Sequence, residues 1–190
     1  PACELMSAAV RVVGREYLVS MLSPAFDYLA RSFAGKIAEV DAHRLVAGEA
    51  VADTRANLVA LAGVFLNAVL SSAAACPLPL RRLMALVWRV ARERFGDRAD
   101  SSILGGLFFL RFVCPAVVRP TEFGLCDDEP AAPNKRSLVL VSKVLQQMAN
   151  GAQYGEKEEF MQSLNPFVAQ HLSTVATFLS SLASLDQLPP

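Results

Sequence analysis

A short apolar run with one permanent cation and one proline constrains this chain more than any other segment. Residues 108–118 read FFLRFVCPAVV, with Arg111 and Pro115 inside the run. A helix that begins at Ser101 or Ser102 would place Arg111 on or beside an apolar face. Because an unpaired buried cation costs several kcal/mol, we expect a hydrogen-bonding partner for its guanidinium. Because Pro115 lacks a backbone donor and disfavours helix at the preceding residue, we also expect the chain to bend just past Arg111.

The rest of the chain predicts a single all-α domain. Its 190 residues suit one domain, and 53% hydrophobic residues favour a folded core. Strand signals are scarce, whereas helix signals recur along the chain. The predicted helices begin near residues 5, 23, 50, 79, 101, 135 and 165. We expect the fourth of them to end at Gly96, residues 119–134 to form a loop, and the last helix to reach about residue 185.

Charge and cysteine content argue against several classes of function. The formal net charge is zero, so no overall field attracts nucleic acid or an anionic membrane. The four cysteines and two histidines have neither metal-ligand nor disulfide-framework spacing. We therefore expect reduced thiols and no metal site. The chain also has no Walker motif and no glycine-rich phosphate cradle, so we expect no bound cofactor.

Residues 58–76 are uncharged and nearly long enough to cross a membrane. They lack aromatic anchors and basic flanks and are rich in alanine, so a buried helix of a larger α domain is the favoured interpretation. We expect no transmembrane segment. The N-terminus has no secretory signal, and its first residue, Pro1, suggests an excised fragment.

One predicted helical region carries a cluster of basic residues. Residues 81–98 hold six of the 18 basic residues, namely Arg81, Arg82, Arg89, Arg92, Arg94 and Arg98. A solvated face is favoured over an acidic protein partner or nucleic acid, because aromatic interleaving is sparse and we expect Trp88 and Phe95 to face the core.

The helix predicted for residues 135–150 has two distinct faces. One face gathers apolar residues: Leu138, Val141, Leu145 and Met148. The opposite face gathers polar residues: Arg136, Lys143, Gln147 and Asn150. By pattern alone this polar stripe is a solvent-facing surface.

Three segments resemble the Ras GTPase-activating protein family. Residues 109–116, FLRFVCPA, match its central motif Phe-Leu-Arg-Phe/Leu-x-x-Pro-Ala, and residues 136–150 are similar to its Arg-x-Leu-x-Leu-x-(Ala/Ser)-Lys helix. Residues 155–161 and 165–167 give a looser similarity. The resemblance implies a single-domain irregular helical bundle of the RasGAP central-domain type over residues 1–190.

The resemblance also implies a GTPase-binding groove lined by the polar stripe. Arg111 would support the loop that carries the family's catalytic arginine finger. The residues implied for the groove are Leu110, Pro115, Arg136, Lys143, Gln147 and Asn150. The finger pattern itself, Phe-Arg-x-(Asn/Thr)-(Ser/Thr)-Leu-Ala, aligns just upstream of Pro1, so we expect a domain truncated there and no catalytic residue within the chain.

The expected function is activation of a Ras-family GTPase, Ras or Rap, in its GTP form. The chain would then be a regulator and not an enzyme, with nucleotide and magnesium held by the GTPase. The alternative is a non-catalytic GTPase-binding or scaffold module, a pseudo-GAP, on the same fold. We expect a cytoplasmic protein that does not bind nucleic acid and that reaches the inner membrane surface only through flanking domains.

Overall fold

The computed structural model describes residues 2–45 and 50–184, with side chains from residue 12 onward. Helices are the regular secondary structure throughout these ranges, so the predicted all-α fold is confirmed. The elements are α1 (Ala2–Arg31), α2 (Val51–Leu70), α3 (Leu78–Phe95), α4 (Ser102–Phe108), a π-helical segment (Phe109–Val113), α5 (Cys114–Val118), α6 (Ala132–Ala149) and α7 (Asn165–Ala183). A 3₁₀ segment, Glu156–Leu164, connects α6 to α7.

The helix that was predicted to be buried packs against three other helices of the domain. By length and composition α2 could cross a membrane. However, one side of it is buried within the domain, where Phe65 meets Phe26 of α1 edge to face at 5.2 Å between ring centroids. α2 packs against α1, α6 and α7. This packing is the pattern of a core helix in an α domain.

The expected break before a second helix at Ser23 and Pro24 was wrong, because α1 continues through Pro24 to Arg31. The proline lies on the exposed side of the helix. The buried stripe runs without interruption across it: Leu18, Leu22, Ala25, Phe26 and Leu29. Packing of this stripe outweighs the loss of one backbone hydrogen bond.

The arginine-rich helix α3 is mostly solvated on its basic face, as predicted. It ends before Gly96, whose φ of +57° favours glycine. Arg82, Arg89 and the basic residues of the last turn are exposed. Phe95 is 49% exposed, so its expected place in the core was wrong. Phe95 lies at the end of α3, beyond the buried side of the helix that packs against α7 and α4.

The final helix begins at Asn165, as the Asn-Pro pair predicts, and ends at Ala183. Its expected end near residue 185 lies outside the described residues. α7 packs against α3 and α6, so it joins the arginine-rich helix to the helix that carries the polar stripe.

Candidate functional site

The signature run forms a π-helical segment between two short α-helices. The expectation that Pro115 disfavours helix at Cys114 was wrong, since Cys114 has helical φ and ψ of −60° and −40°. Its backbone N–H donates to the Phe109 carbonyl, five residues earlier. The wider π turn places Pro115 in the first turn of α5, where a proline is tolerated. Single π turns of this kind are frequent at functional sites.

The π turn separates a buried aromatic side from an exposed outer side. Phe109 and Phe112 are fully buried, whereas Leu110 between them is 50% exposed. Arg111 is half-buried, and its Nη1 donates to the Gly106 carbonyl at 2.6 Å. The prediction that the guanidinium has a hydrogen-bonding partner is therefore confirmed. Its support of a finger loop stays a prediction.

Close contacts fix this segment against α1 and α6. The Phe112 ring stacks on Tyr17 of α1, with 6.3 Å between centroids. A Cβ added to Gly14 would lie 2.6 Å from the Phe112 ring, and one added to Gly105 would lie 2.4 Å from the Ala149 carbonyl oxygen. The absence of side chains at both glycines lets the helices approach at these points. The exposed part of the π turn is thus held in one position.

α5 packs against the middle of α6. The Cys114 Sγ lies 3.6 Å from the Ser142 carbonyl oxygen and 3.9 Å from the Gln146 Oε1. Burial raises the pKa of the Cys114 thiol to about 11, with the Ser142 bond opposing the shift. The thiol is therefore protonated and donates to α6. Pro115, next in sequence, is half-buried at this junction.

The two faces predicted for α6 are both present. The apolar face is buried: Leu138, Val141, Leu145 and Met148. On the polar face, three of the predicted groove residues are half-buried and Asn150 is exposed: Arg136, Lys143, Gln147 and Asn150. We call these four residues the polar stripe. Its span of about 14 residues corresponds to about 20 Å of helix.

A buried carboxylate holds the first residue of the stripe. Arg136 Nε lies 2.8 Å from Glu39 Oε2, and its Nη2 lies 3.3 Å from Oε1. Glu39 is only 3% exposed and also accepts the backbone N–H groups of Val40 and Asp41. Burial alone would raise the pKa of this carboxyl, but the bonds from Arg136 and the two amides outweigh it and lower the pKa. The carboxylate therefore stays ionised and anchors the start of α6.

The central lysine of the stripe is also paired within the domain. Lys143 Nζ forms an ion pair with Glu158, and both side chains are partly exposed. The same ammonium lies 5.9 Å from the centre of the Phe160 ring. At the far end of the stripe, Gln146 Nε2 donates to Asn150 Oδ1 at 2.8 Å. Three of the four stripe residues are therefore held by contacts within the domain.

A concave surface lies beside the stripe. A cavity of about 480 Å³ separates residues 40–43, which follow Glu39, from residues of the 3₁₀ segment that carries Glu158. It is lined by Val40, Asp41, Ala42, His43, Glu156, Lys157, Glu159 and Phe160. The sequence signal for this cavity is weak, because its two walls come from segments more than a hundred residues apart.

The structure brings the predicted site residues into three neighbouring elements. Leu110, Arg111 and Pro115 belong to the π segment and α5, which both pack on α6. The stripe residues belong to α6 itself. Glu39 and Glu158, which position the two cations, were not predicted as site residues. Glu158 could have been found from the sequence, because it is an acidic residue that closely follows the predicted cation Lys143.

Comparison with known proteins agrees with this geometry. The family model described as GTPase-activator protein for Ras-like GTPase matches residues 35–150, which include the π segment and α6. The probable Ras GTPase-activating-like protein ngap of Dictyostelium discoideum is 31% identical over 185 residues, covering 95% of this chain and 21% of that protein. The Ras GTPase-activating protein raskol of Drosophila melanogaster is 31% identical over 193 residues, covering 99% of this chain and 12% of that protein.

A third relative, Ras GTPase-activating protein 1 of Rattus norvegicus, is 26% identical over 153 residues, covering 80% of this chain and 15% of that protein. The chain thus spans about an eighth to a fifth of the length of these three relatives. Since the family model covers more than half of the chain, the chain belongs to the family of GTPase-activator proteins for Ras-like GTPases.

Proposed function

We propose that this domain binds the switch regions of a Ras-family GTPase, Ras or Rap, in its GTP form and accelerates GTP hydrolysis. The observation that carries the proposal is the fixed π turn, which exposes Leu110 beside Arg111 within the region that the family model matches. An exposed apolar side chain next to a polar stripe is a typical anchor of a protein interface.

The chemistry requires positive charge where the phosphoryl oxygens become more negative. An arginine supplied in trans accelerates hydrolysis by about 10³- to 10⁵-fold, the general magnitude known for Ras with its activators. This corresponds to roughly 4 to 7 kcal/mol of barrier. We assign this arginine to a finger loop that precedes residue 1. Arg111 already donates to a backbone carbonyl, that of Gly106, which is the kind of bond that would hold such a loop.

In this proposal the domain regulates a reaction whose nucleotide and magnesium belong to the GTPase. It needs no cofactor of its own. It would act in the cytoplasm, with segments outside residues 1–190 bringing it to the inner membrane surface.

The alternative is a non-catalytic GTPase-binding module on the same fold. Arg136 and Lys143 are both paired with carboxylates of the domain, so neither is an uncompensated charge on the groove. A scaffold that binds without stimulating hydrolysis would use the same surface. The two functions differ in the presence of a finger arginine.

Single-turnover GTP hydrolysis with a panel of Ras and Rap proteins tests the proposal. Two versions of the domain are compared: residues 1–190 and a version extended upstream. We expect the extended version to accelerate hydrolysis by about 10³-fold or more and the shorter one to bind but stimulate little. Binding by both versions without acceleration would establish the scaffold. No binding and no acceleration with any GTPase would refute both functions.

A further inference from the structure

The connection between α6 and α7 folds back onto the polar stripe. Its 3₁₀ segment, Glu156–Leu164, is interrupted at Glu158, which has non-helical φ and ψ of −133° and 51°. Glu158 is the residue that pairs with Lys143, and Phe160 lies below the same ammonium. Met161 and Leu164 are buried. The position of the carboxylate at Lys143 therefore depends on how this connection is held at its two ends.

One side chain closes the connection into a loop. Asn165, the first residue of α7, accepts the Tyr154 backbone N–H at its Oδ1 at 2.8 Å. Its Nδ2 donates to the Tyr154 carbonyl at 3.0 Å. The carboxamide thus pairs with the backbone of a residue eleven positions earlier through one donor and one acceptor. A primary amide offers both on one planar group, which a carboxylate does not.

We call the pairing of the Asn165 carboxamide with the Tyr154 backbone the clamp. Tyr154 itself is buried. The Tyr154 side chain is 5% exposed, and its hydroxyl has no hydrogen-bond partner among the described residues. Burial raises the pKa of the phenol, and the charge of Glu158 raises it further. The phenol therefore stays neutral, and its ring packs as part of the core. The backbone pairing with Asn165 then fixes the position from which residues 155–164 extend.

We propose that Asn165 is a positioning residue for GTPase binding, because its carboxamide fixes the loop that holds Glu158 against Lys143. The inference rests on the proposed function and extends it to a residue outside the stripe and outside the region that the family model matches. Loss of the clamp would release the loop, leave Lys143 without its partner and weaken binding of the GTPase. The rate at saturating concentration would change little, because Asn165 touches none of the reacting groups.

The substitution Asn165→Asp tests this with almost no change in shape. The ionised carboxylate can still accept from Tyr154, but its second oxygen faces the Tyr154 carbonyl oxygen, so the two repel. Protonation restores a donor at that position. The unfavourable contact raises the pKa of the introduced carboxyl. The loss of affinity for the GTPase should therefore become smaller as the pH falls.

The experiment measures the dissociation constant of residues 1–190 for Ras loaded with a non-hydrolysable GTP analogue between pH 8 and pH 5.5. We expect Asn165→Asp to bind roughly tenfold more weakly than the native chain at pH 7.5 and within about threefold at pH 5.5. The native chain at each pH is the reference. Asn67→Asp, at an exposed position of α2, introduces the same charge elsewhere and should bind like the native chain.

The outcomes separate this inference from the proposed function. If the native chain binds neither Ras nor Rap, the proposed function fails and the inference fails with it. If the native chain binds and Asn165→Asp binds equally well at pH 7.5, only the role of Asn165 is refuted. A loss of affinity that does not depend on pH would also refute the clamp.

A second measurement covers the case in which Asn165→Asp unfolds at pH 7.5. Its unfolding midpoint, relative to that of the native chain at the same pH, should rise as the pH falls, because the protonated carboxyl is the form that fits the fold. Recovery of folding and of Ras binding at pH 5.5 would support the clamp. A variant that stays unfolded over the whole range would contradict it.

Discussion

The basic residues of α3 and of α6 carry the same charge in different surroundings. On α3, Arg92 lies 3.7 Å from Asp97, and both side chains are well exposed. On α6, Arg136 makes two bonds to a carboxylate that is almost fully buried. Exposed pairs contribute little to stability, whereas breaking a buried pair leaves an uncompensated charge. The comparison indicates that the surface of α6 is built to a fixed geometry, while that of α3 is solvated.

The largest effect is expected from removing the buried carboxylate. Glu39→Gln should lower the free energy of unfolding by about 3 kcal/mol, near the low end for buried pairs because Arg136 is partly exposed. Urea denaturation measures the change. The matched substitution, Asp97→Asn, removes the exposed partner of Arg92 just past the end of α3 and should stay within about 0.5 kcal/mol of the native chain. Similar losses for the two variants would remove the distinction between the helices.

One arginine of α3 is an exception that sharpens the comparison. Arg81 Nη2 donates to the carbonyls of Ser181 and Ser184 at the end of α7, at 3.0 Å each. Arg81→Gln should therefore cost about 1 to 2 kcal/mol, because two carbonyls lose a charged donor. Arg82→Gln, at the exposed neighbouring position, should be nearly neutral in the same denaturation assay. A larger loss for Arg82→Gln would contradict the assignment of the two residues.

The pattern of local signals explains which elements were predictable. The helix starts near residues 79 and 165 follow from proline in the first turn, and the end at Gly96 follows from a glycine with positive φ. Pro24 misled the prediction, because burial of residues on both sides of it keeps α1 continuous. Local propensity gives way where tertiary packing is strong.

The site was predictable in its cations but not in their partners. Arg111, Arg136 and Lys143 belong to motifs that can be recognised along the chain. Glu39, however, is 97 residues from Arg136 in sequence, and only the fold brings them together. The clamp of Asn165 on Tyr154 depends on backbone atoms, which leave no signal in the residue types.

A smaller effect is expected in the acid stability of the domain. The pKa of Glu39 is lowered in the folded state, so its contribution is complete above its ordinary value of 4.5 and is lost as the pH falls through the lower folded value. Thermal unfolding of the native chain between pH 6 and pH 3 should show this loss. The pKa of Glu129 is lowered too, by Lys135 and Thr121, so the difference between native and Glu39→Gln isolates Glu39. Parallel curves for the two proteins would contradict the prediction.

The most direct test compares two equally exposed apolar residues on the two surfaces. Leu110 on the π turn is 50% exposed, and Val90 on α3 is 52% exposed. Single-turnover GTP hydrolysis is measured with Leu110→Asp and Val90→Asp in the chain extended upstream, after their folding has been checked by thermal unfolding. We predict that Leu110→Asp weakens activation at subsaturating concentration by about tenfold or more, because it places a charge at the anchor of the interface, whereas Val90→Asp leaves it unchanged. Equal activation by the two variants would contradict the assignment of the GTPase-binding site.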